Sequence, residues 1–268
     1  MIMLKNVIKD FLPPVLLRVI IGLFYGWHGN YSSWDVAKKK CSGYDSQLII
    51  DKVKESSLKV KMGIAQYERD SVIFNEVQYN FPILSSLLWV ASRNNGKLNL
   101  LDFGGSLGSC YYQHKFFLDS FTELKWCIVE QPNFVKTGLE LFSDERLKFY
   151  NNIEECLNNN HIHMILLSSV IPYLEKPYEL LQLIKSKKIT YLLFDKTPLI
   201  EGKDRITVQK VKPAIYHASY PSWFFNKEKF MNFMIPEYEL VFEFDSYIKV
   251  NVLSEFKGFL FKLKNSTP

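Results

Sequence analysis

LLDFGGSLGSC, residues 100–110, decides how this chain is read. An apolar run ends in Asp102, and Gly104, Gly105 and Gly108 follow at once. A short apolar run bounded by turn residues reads as a buried strand. Glycines directly after it form a turn in which backbone adopts positive φ or comes close to a ligand, because no Cβ is in the way. In an open parallel sheet, ligands lie beyond the carboxyl ends of the strands, where strand order reverses.

The spacing excludes two phosphate cradles. No GxxxxGK[ST] run exists, and GxGxxG fails because Ser106 and Ser109 stand where its second and third glycines would be. What remains is D-x-G-G-x-x-G, with a second acid, Glu130, at the end of the next apolar run, LKWCIVEQ (124–131). The first acid suits the amino-acid end of a ligand. The second suits two ribose hydroxyls, since a carboxylate accepts two hydrogen bonds at once. A ligand with a charged amino acid at one end and a ribose in the middle is S-adenosylmethionine.

Outward from the turn, the chain divides near residue 95. After it, apolar runs alternate with helical stretches: LNLLDF (98–103), LKWCIVEQ, LKFYNN (147–152), HMILLSSVIPYL (163–174) and TYLLFDKTPL (190–199), each followed by a helix as far as KPYELLQLIKSK. Two last strands, YELVFEFD (238–245) and FKGFLFKLK (256–264), have no helix between them. The expected fold is α/β, a Rossmann-like, mostly parallel sheet covered on both faces with an antiparallel hairpin at one edge. Residues 1–95 are expected to be a mostly helical N-terminal extension, with Ser33 capping one helix and Phe81-Pro82 breaking another; residues 96–268 form the ligand-binding domain.

Composition sets the class. The 268 residues are 47% hydrophobic and 15% aromatic, ample for a core. Net charge is +5, and the lysines are scattered apart from Lys38, Lys39 and Lys40, so no basic stripe points to nucleic acid. The four cysteines form no CxxC pair, and the HxH of His161 and His163 is isolated, so no metal is expected. A reducing cytoplasm is the default compartment. FLPPVLLRVIIGLFYGW (11–27) is apolar but interrupted by Pro13, Pro14 and Arg18, too short to span a bilayer. It is either an amphipathic helix packed on the domain or a helix lying on the inner membrane face, with Lys5, Lys9 and Arg18 near the head groups.

The glycine turn and its acids resemble those of class I S-adenosylmethionine-dependent methyltransferases, with Ser106 where their middle glycine stands. A wider set of motifs is more specific. NYSSWDVAKKKCSGYDS (30–46), YERDSVIF (67–74), LDFGGSLGSCYYQ (101–113), WCIVEQPNFV (126–135), LLSSVIPYLEKPYELL (166–181), FDKTPL (194–199) and ASYPSWF (218–224) resemble, in this order, a methyltransferase family found mostly in bacterial gene clusters for surface polysaccharides. The resemblance implies a methyltransferase whose acceptor is a sugar of a surface glycan or of its lipid- or nucleotide-linked precursor. It implies that Asp102, Gly104, Gly105 and Gly108 hold the methionine part, that Glu130 takes the ribose, and that Gln131 and Asn152 lie near the adenine. Ser168 falls where this fold lines the reaction centre.

A hydroxyl acceptor also needs a base within reach. Asp195, after the fifth strand, and His217, in IYHASYPSW, are the candidates. Glu68, Arg69, Arg205, Tyr220 and Trp223 are candidates for the acceptor pocket, each with a structural alternative as an ion pair or core ring. Two other readings stay open: a non-catalytic partner in a glycan-assembly complex, and a methyltransferase for a small metabolite or lipid.

Overall fold

The computed structural model describes residues 22–42, 46–212, 215, 218–246, 248 and 250–265. Five strands form the parallel body: β4 (Lys97–Phe103), β5 (Glu123–Val129), β6 (Leu147–Tyr150), β7 (Met164–Ser168) and β8 (Tyr191–Ile200). Their spatial order is β6-β5-β4-β7-β8. The chain winds outward from β4 in one direction, then returns to start β7 on its other side, so strand order reverses between β4 and β7. β11 (Tyr238–Asp245) and β12 (Glu255–Leu263) complete it: β12 runs antiparallel beside β8, and β11 pairs outside β12. The Rossmann-like sheet with an antiparallel edge hairpin is therefore present as expected.

The strands β4, β5, β7 and β8 are mostly buried on both faces, which is why the sequence shows apolar runs there; β6, at the edge, is buried on one face. Leu98, Leu100, Trp126, Ile128, Leu166 and Leu193 face α2 (Ser46–Lys61), α3 (Phe81–Arg93), α4 (Ser109–Leu118) and α5 (Pro132–Leu141). Leu101, Cys127, Ile165, Leu167 and Phe194 face α6 (Ile153–Asn159), α7 (Pro177–Ser186) and α8 (Lys227–Met234).

The N-terminal region departs from the helical expectation. β1 (Gly26–Tyr31) is a strand, and Tyr67–Arg69 (β2) pairs Val72–Phe74 (β3) as a hairpin. Its two-residue turn, Asp70 and Ser71, has φ of 52° and 67°, the double positive φ that a type I′ turn requires. Pro82 does not break a helix. It lies in the first turn of α3, whose cap Asn80 accepts the Ile83 N–H at 3.3 Å, a position where the missing proline N–H costs nothing. The N-cap at Ser33 is present, opening α1 (Trp34–Lys38).

Two further strands, β9 (Arg205–Lys210) and β10 (Ser219–Asn226), lie between β8 and α8. They form an antiparallel ribbon with β1, in the order β1-β9-β10. β10 meets the body only at Phe225 and Asn226, which pair Leu199 and Ile200. Leu199 also pairs Glu255 of β12, so β10 occupies the other edge of β8, the one β7 has left free after Ser168. The ribbon thus stands beyond the carboxyl end of β7.

The body also depends on close helix–strand approach. A Cβ on Gly138 of α5 would run into the Phe149 ring on β6. Gly138→Ala is expected to cost about 1–3 kcal/mol through overpacking, read as a lower midpoint in thermal unfolding.

Candidate functional site

The glycine turn folds back on the acid that precedes it. Asp102 is buried at the end of β4, and a Cβ on Gly105 would sit 2.5 Å from its Oδ2. Gly104 has φ +74° and abuts Val170, just past β7. Gly108 caps α4. Ser106 stands where the middle glycine is expected and has φ 55°, in the left-handed region that favours glycine. The serine keeps the turn at a strain of about 1 kcal/mol.

Side chains alternate across a strand, so Asp102 shares a face with Leu100, Glu130 with Ile128, Ser168 with Leu166 and Asp195 with Leu193. All four polar groups therefore line one face at the carboxyl edge, on adjoining strands β5, β4, β7 and β8. Trp126 Nε1, at 3.0 Å from Oδ2, is the donor the structure provides to Asp102. Burial pushes the Asp102 carboxyl up to about 7; the Trp126 bond opposes this and nearby Glu130 adds to it. Glu130 accepts the Gln131 N–H at 2.6 Å; burial raises its pKa, and the Gln131 and Ser106 backbone oppose the rise. Gln131 caps α5 by backbone alone, leaving its side chain exposed. Asn152 caps α6, accepting the Glu155 N–H at 2.8 Å.

Asp195 is the most connected group. Its Oδ2 accepts from Asn80 Nδ2 and from Ser168 Oγ, both at 3.1 Å, and its Oδ1 accepts from Ser246 Oγ at 2.7 Å. Lys196 Nζ lies 3.8 Å away. Lys196 has φ 56° inside β8, and the pairing with β12 shifts register beside it, the signature of a bulge. Asn80 also offers its carbonyl to His114 Nε2 at 3.3 Å, while His114 Nδ1 lies 2.9 Å from the Cys110 carbonyl. Burial lowers the His114 pKa, and burial beside Asp102 and Asp195 pushes the Cys110 thiol well up, so both are neutral at pH 7.

The other candidates lie around this edge. Glu68 is buried, accepts from Ser109 Oγ and from the Ser71 N–H, and so fastens the β2–β3 hairpin to the start of α4. Arg69 is exposed, over the Phe74 ring. Arg205 grips the Gly29 carbonyl at 2.9 and 2.7 Å, joining β9 to β1. Trp223 stacks between Trp34 and Phe225, with Nε1 on the Leu174 carbonyl. Tyr220 meets Tyr173 edge-on at 5.2 Å, above the end of β7. His217 and residues 11–21 of the N-terminal apolar segment lie outside the described residues. Sequence reasoning missed Asn80, His114 and Ser246. Asn80 had one signal, a cap-forming residue ahead of Phe-Pro; the other two had none.

No protein-family model matches the sequence, and no curated protein aligns with it. Solved structures match it at low similarity. The N-terminal domain of EvdMO1, crystallised with SAH and D-fucose, is 11% identical with a TM-score of 0.48, covering 82% of this chain and 98% of that one. Magnesium protoporphyrin IX methyltransferase from Synechocystis PCC 6803 with bound SAM gives 10% and 0.45, over 83% and 99%. The glycopeptide N-methyltransferase MtfA with sinefungin gives 8% and 0.45, over 67% and 93%.

The raised Asp102 pKa has a stability consequence. Between its ordinary value and about 7 the folded protein holds a proton that the unfolded chain has released, so the contribution is full below the ordinary value and lost as pH rises through about 7. Asp102→Asn is expected to flatten the decline in thermal midpoint between pH 5 and pH 8; an unchanged profile would show that this carboxyl does not titrate there.

Proposed function

We propose that this chain is an S-adenosylmethionine-dependent methyltransferase that O-methylates a sugar of a bacterial surface glycan or of its lipid- or nucleotide-linked precursor. The observation that carries the reading is the pairing of buried Asp102 with half-buried Glu130 on one face of the sheet, beside the point where strand order reverses. Asp102 has one neutral donor, Trp126, where a buried carboxylate calls for more. An ammonium group is the partner it lacks. Glu130 uses one N–H donor, that of Gln131, leaving acceptor positions that suit a ribose diol. Ser106 does not weaken the fit, because it adopts the positive φ that the turn requires.

When bound, the cofactor supplies a methyl group already activated on a sulfonium. The chain's own work is then placement and proton transfer. Asp102 and Glu130 hold the two ends, with Gln131 and Asn152 beyond Glu130 toward the base. Asp195 stands two strands away on the same face and takes the proton of the acceptor hydroxyl; Ser168, Asn80 and Ser246 fix its orientation. The β1-β9-β10 ribbon walls this side, with Tyr220 and Tyr173 as its nearest rings, a surface on which a sugar face stacks. Residues 1–95 supply Asn80 and the hairpin, and act as the acceptor cap.

Calorimetric titration of the purified protein with S-adenosylmethionine and with S-adenosylhomocysteine tests this. Glu130→Ala is expected to weaken binding about 10- to 100-fold, the loss of a charge-assisted contact. Wild-type affinity is expected to fall from pH 8 to pH 6 as Asp102 gains a proton, with the fall absent in Asp102→Asn. Wild-type affinity in both variants would remove the site from this edge.

A further inference from the structure

The seam where strand order reverses is short. β4 pairs β7 only from Leu100 to Asp102, whereas it pairs β5 from Lys97 to Phe103. At the amino end of this seam, away from the glycine turn, a side chain carries the pairing one residue further. The Asn99 N–H donates to Nδ1 of the His163 ring at 3.1 Å, and the His163 N–H donates to the Asn99 carbonyl at 2.9 Å. Asn99 Nδ2 donates to the His161 carbonyl at 2.9 Å, and the His163 carbonyl accepts the Tyr191 N–H of β8 at 3.1 Å. His163 thus ties the start of β7 to both of its neighbours, and on the β4 side half of the tie is an imidazole nitrogen in place of a backbone carbonyl.

A ring nitrogen accepts only while it carries no proton, so the bond requires neutral His163 with its proton on Nε2. A second proton would set N–H against N–H. Asn99 is buried, so its amide would then have neither acceptor nor water unless the strand starts part. The ring is half-buried, which leaves protons a way in. The charges that reach it are those of His161 beside it, Glu123 on β5 and Lys97 on β4. The His161 ring stands edge-on at 5.3 Å, and Lys97 and Glu123 are paired with each other at 3.1 Å. Burial, with His161, holds the His163 pKa below its ordinary value. The contribution of this contact is therefore full above the ordinary value and lost as pH falls through the lowered one, the opposite direction to Asp102.

We propose that His163 is an acid-sensitive latch on the β4–β7 seam: neutral, its ring closes the amino end of the seam; protonated, it releases the Asn99 amide and lets the two strand starts part. The latch is independent of the methyl-transfer reading, because it lies at the other end of these strands from Asp102 and Ser168.

Amide hydrogen exchange of the full chain, followed by NMR from pH 7.5 to pH 5, tests it. The Trp126 amide, bonded to the Arg146 carbonyl at 2.7 Å on the β6 side of β5, is the internal reference. Relative to Trp126, the protection of Asn99 is expected to fall about tenfold or more on acidification, the loss of a hydrogen bond to a buried donor. In His163→Asn the acceptor Oδ1 stands as many bonds from Cβ as Nδ1 does and does not titrate, so the relative protection is expected to stay level. Two-bond proton–nitrogen correlation of the wild-type ring at pH 7.5 is expected to show Nδ1 without a proton, a readout that stands even where the variant does not fold. A protonated Nδ1 at pH 7.5, an Asn99 protection that follows Trp126 across the range, or an equal fall in the variant overturns the latch.

Discussion

A carboxylate taken out of water must be given hydrogen bonds, and Asp195 draws its donors from separate parts of the chain. Asn80 comes from the segment before α3, Ser168 from the end of β7 and Ser246 from the β11–β12 loop. Three hydrogen bonds use most of the roughly four acceptor positions of a carboxylate and fix its plane. The same contacts fix the N-terminal region against the sheet and hold the edge hairpin by its loop. A loss at Asp195 would therefore loosen the N-terminal region, the end of β7 and the β11–β12 loop together.

The parallel body was legible because most of its strands are buried on both faces and so read as apolar runs. Asp102, Glu130 and Ser168 were legible for the same reason, since each is the first polar residue at or near the end of such a run. The ribbon was not. Arg205–Lys210 alternates over only six residues, and Ser219–Asn226 contains Pro221, which argues against a strand. Pro221 is tolerated because β10 pairs β9 along its length and touches β8 only at its last two residues. The β2–β3 hairpin was hidden too: its strands have three residues each, and its turn uses Asp70-Ser71 in place of a glycine pair. The contacts that bring Asn80, His114 and Ser246 to this edge are with partners more than thirty positions away, which no local pattern can register.

Strain gathers at the same edge. Ser106, Ser169 and Lys196 are non-glycine residues with φ of 55°, 58° and 56°, each just past or at the carboxyl end of β4, β7 or the paired half of β8. Backbone in this region costs about 1–3 kcal/mol per residue unless the surroundings over-determine it. Here they do. The Ser169 N–H is taken by the Asp195 carbonyl at 2.9 Å and the Lys196 N–H by Ser246 Oγ at 3.3 Å. Two of the three strained residues thus give their N–H to a neighbour at this same edge.

The bulge at Lys196 follows from the demands placed on β8. Up to Asp195 the strand pairs β7 and β12 at once, as an ordinary interior strand. Beyond it β7 has ended, and Leu199 and Ile200 must leave the parallel register to receive β10. A straight strand would carry them on past the sheet edge, and the ribbon would project into solvent. The left-handed turn at Lys196 increases local twist and re-aims the strand. It therefore sets the direction from which β1, β9 and β10 approach, and with them Tyr220 over Tyr173. The residue that bends the strand sits directly after Asp195, so the approach of the ribbon and the orientation of this carboxylate are fixed by one local feature of the backbone.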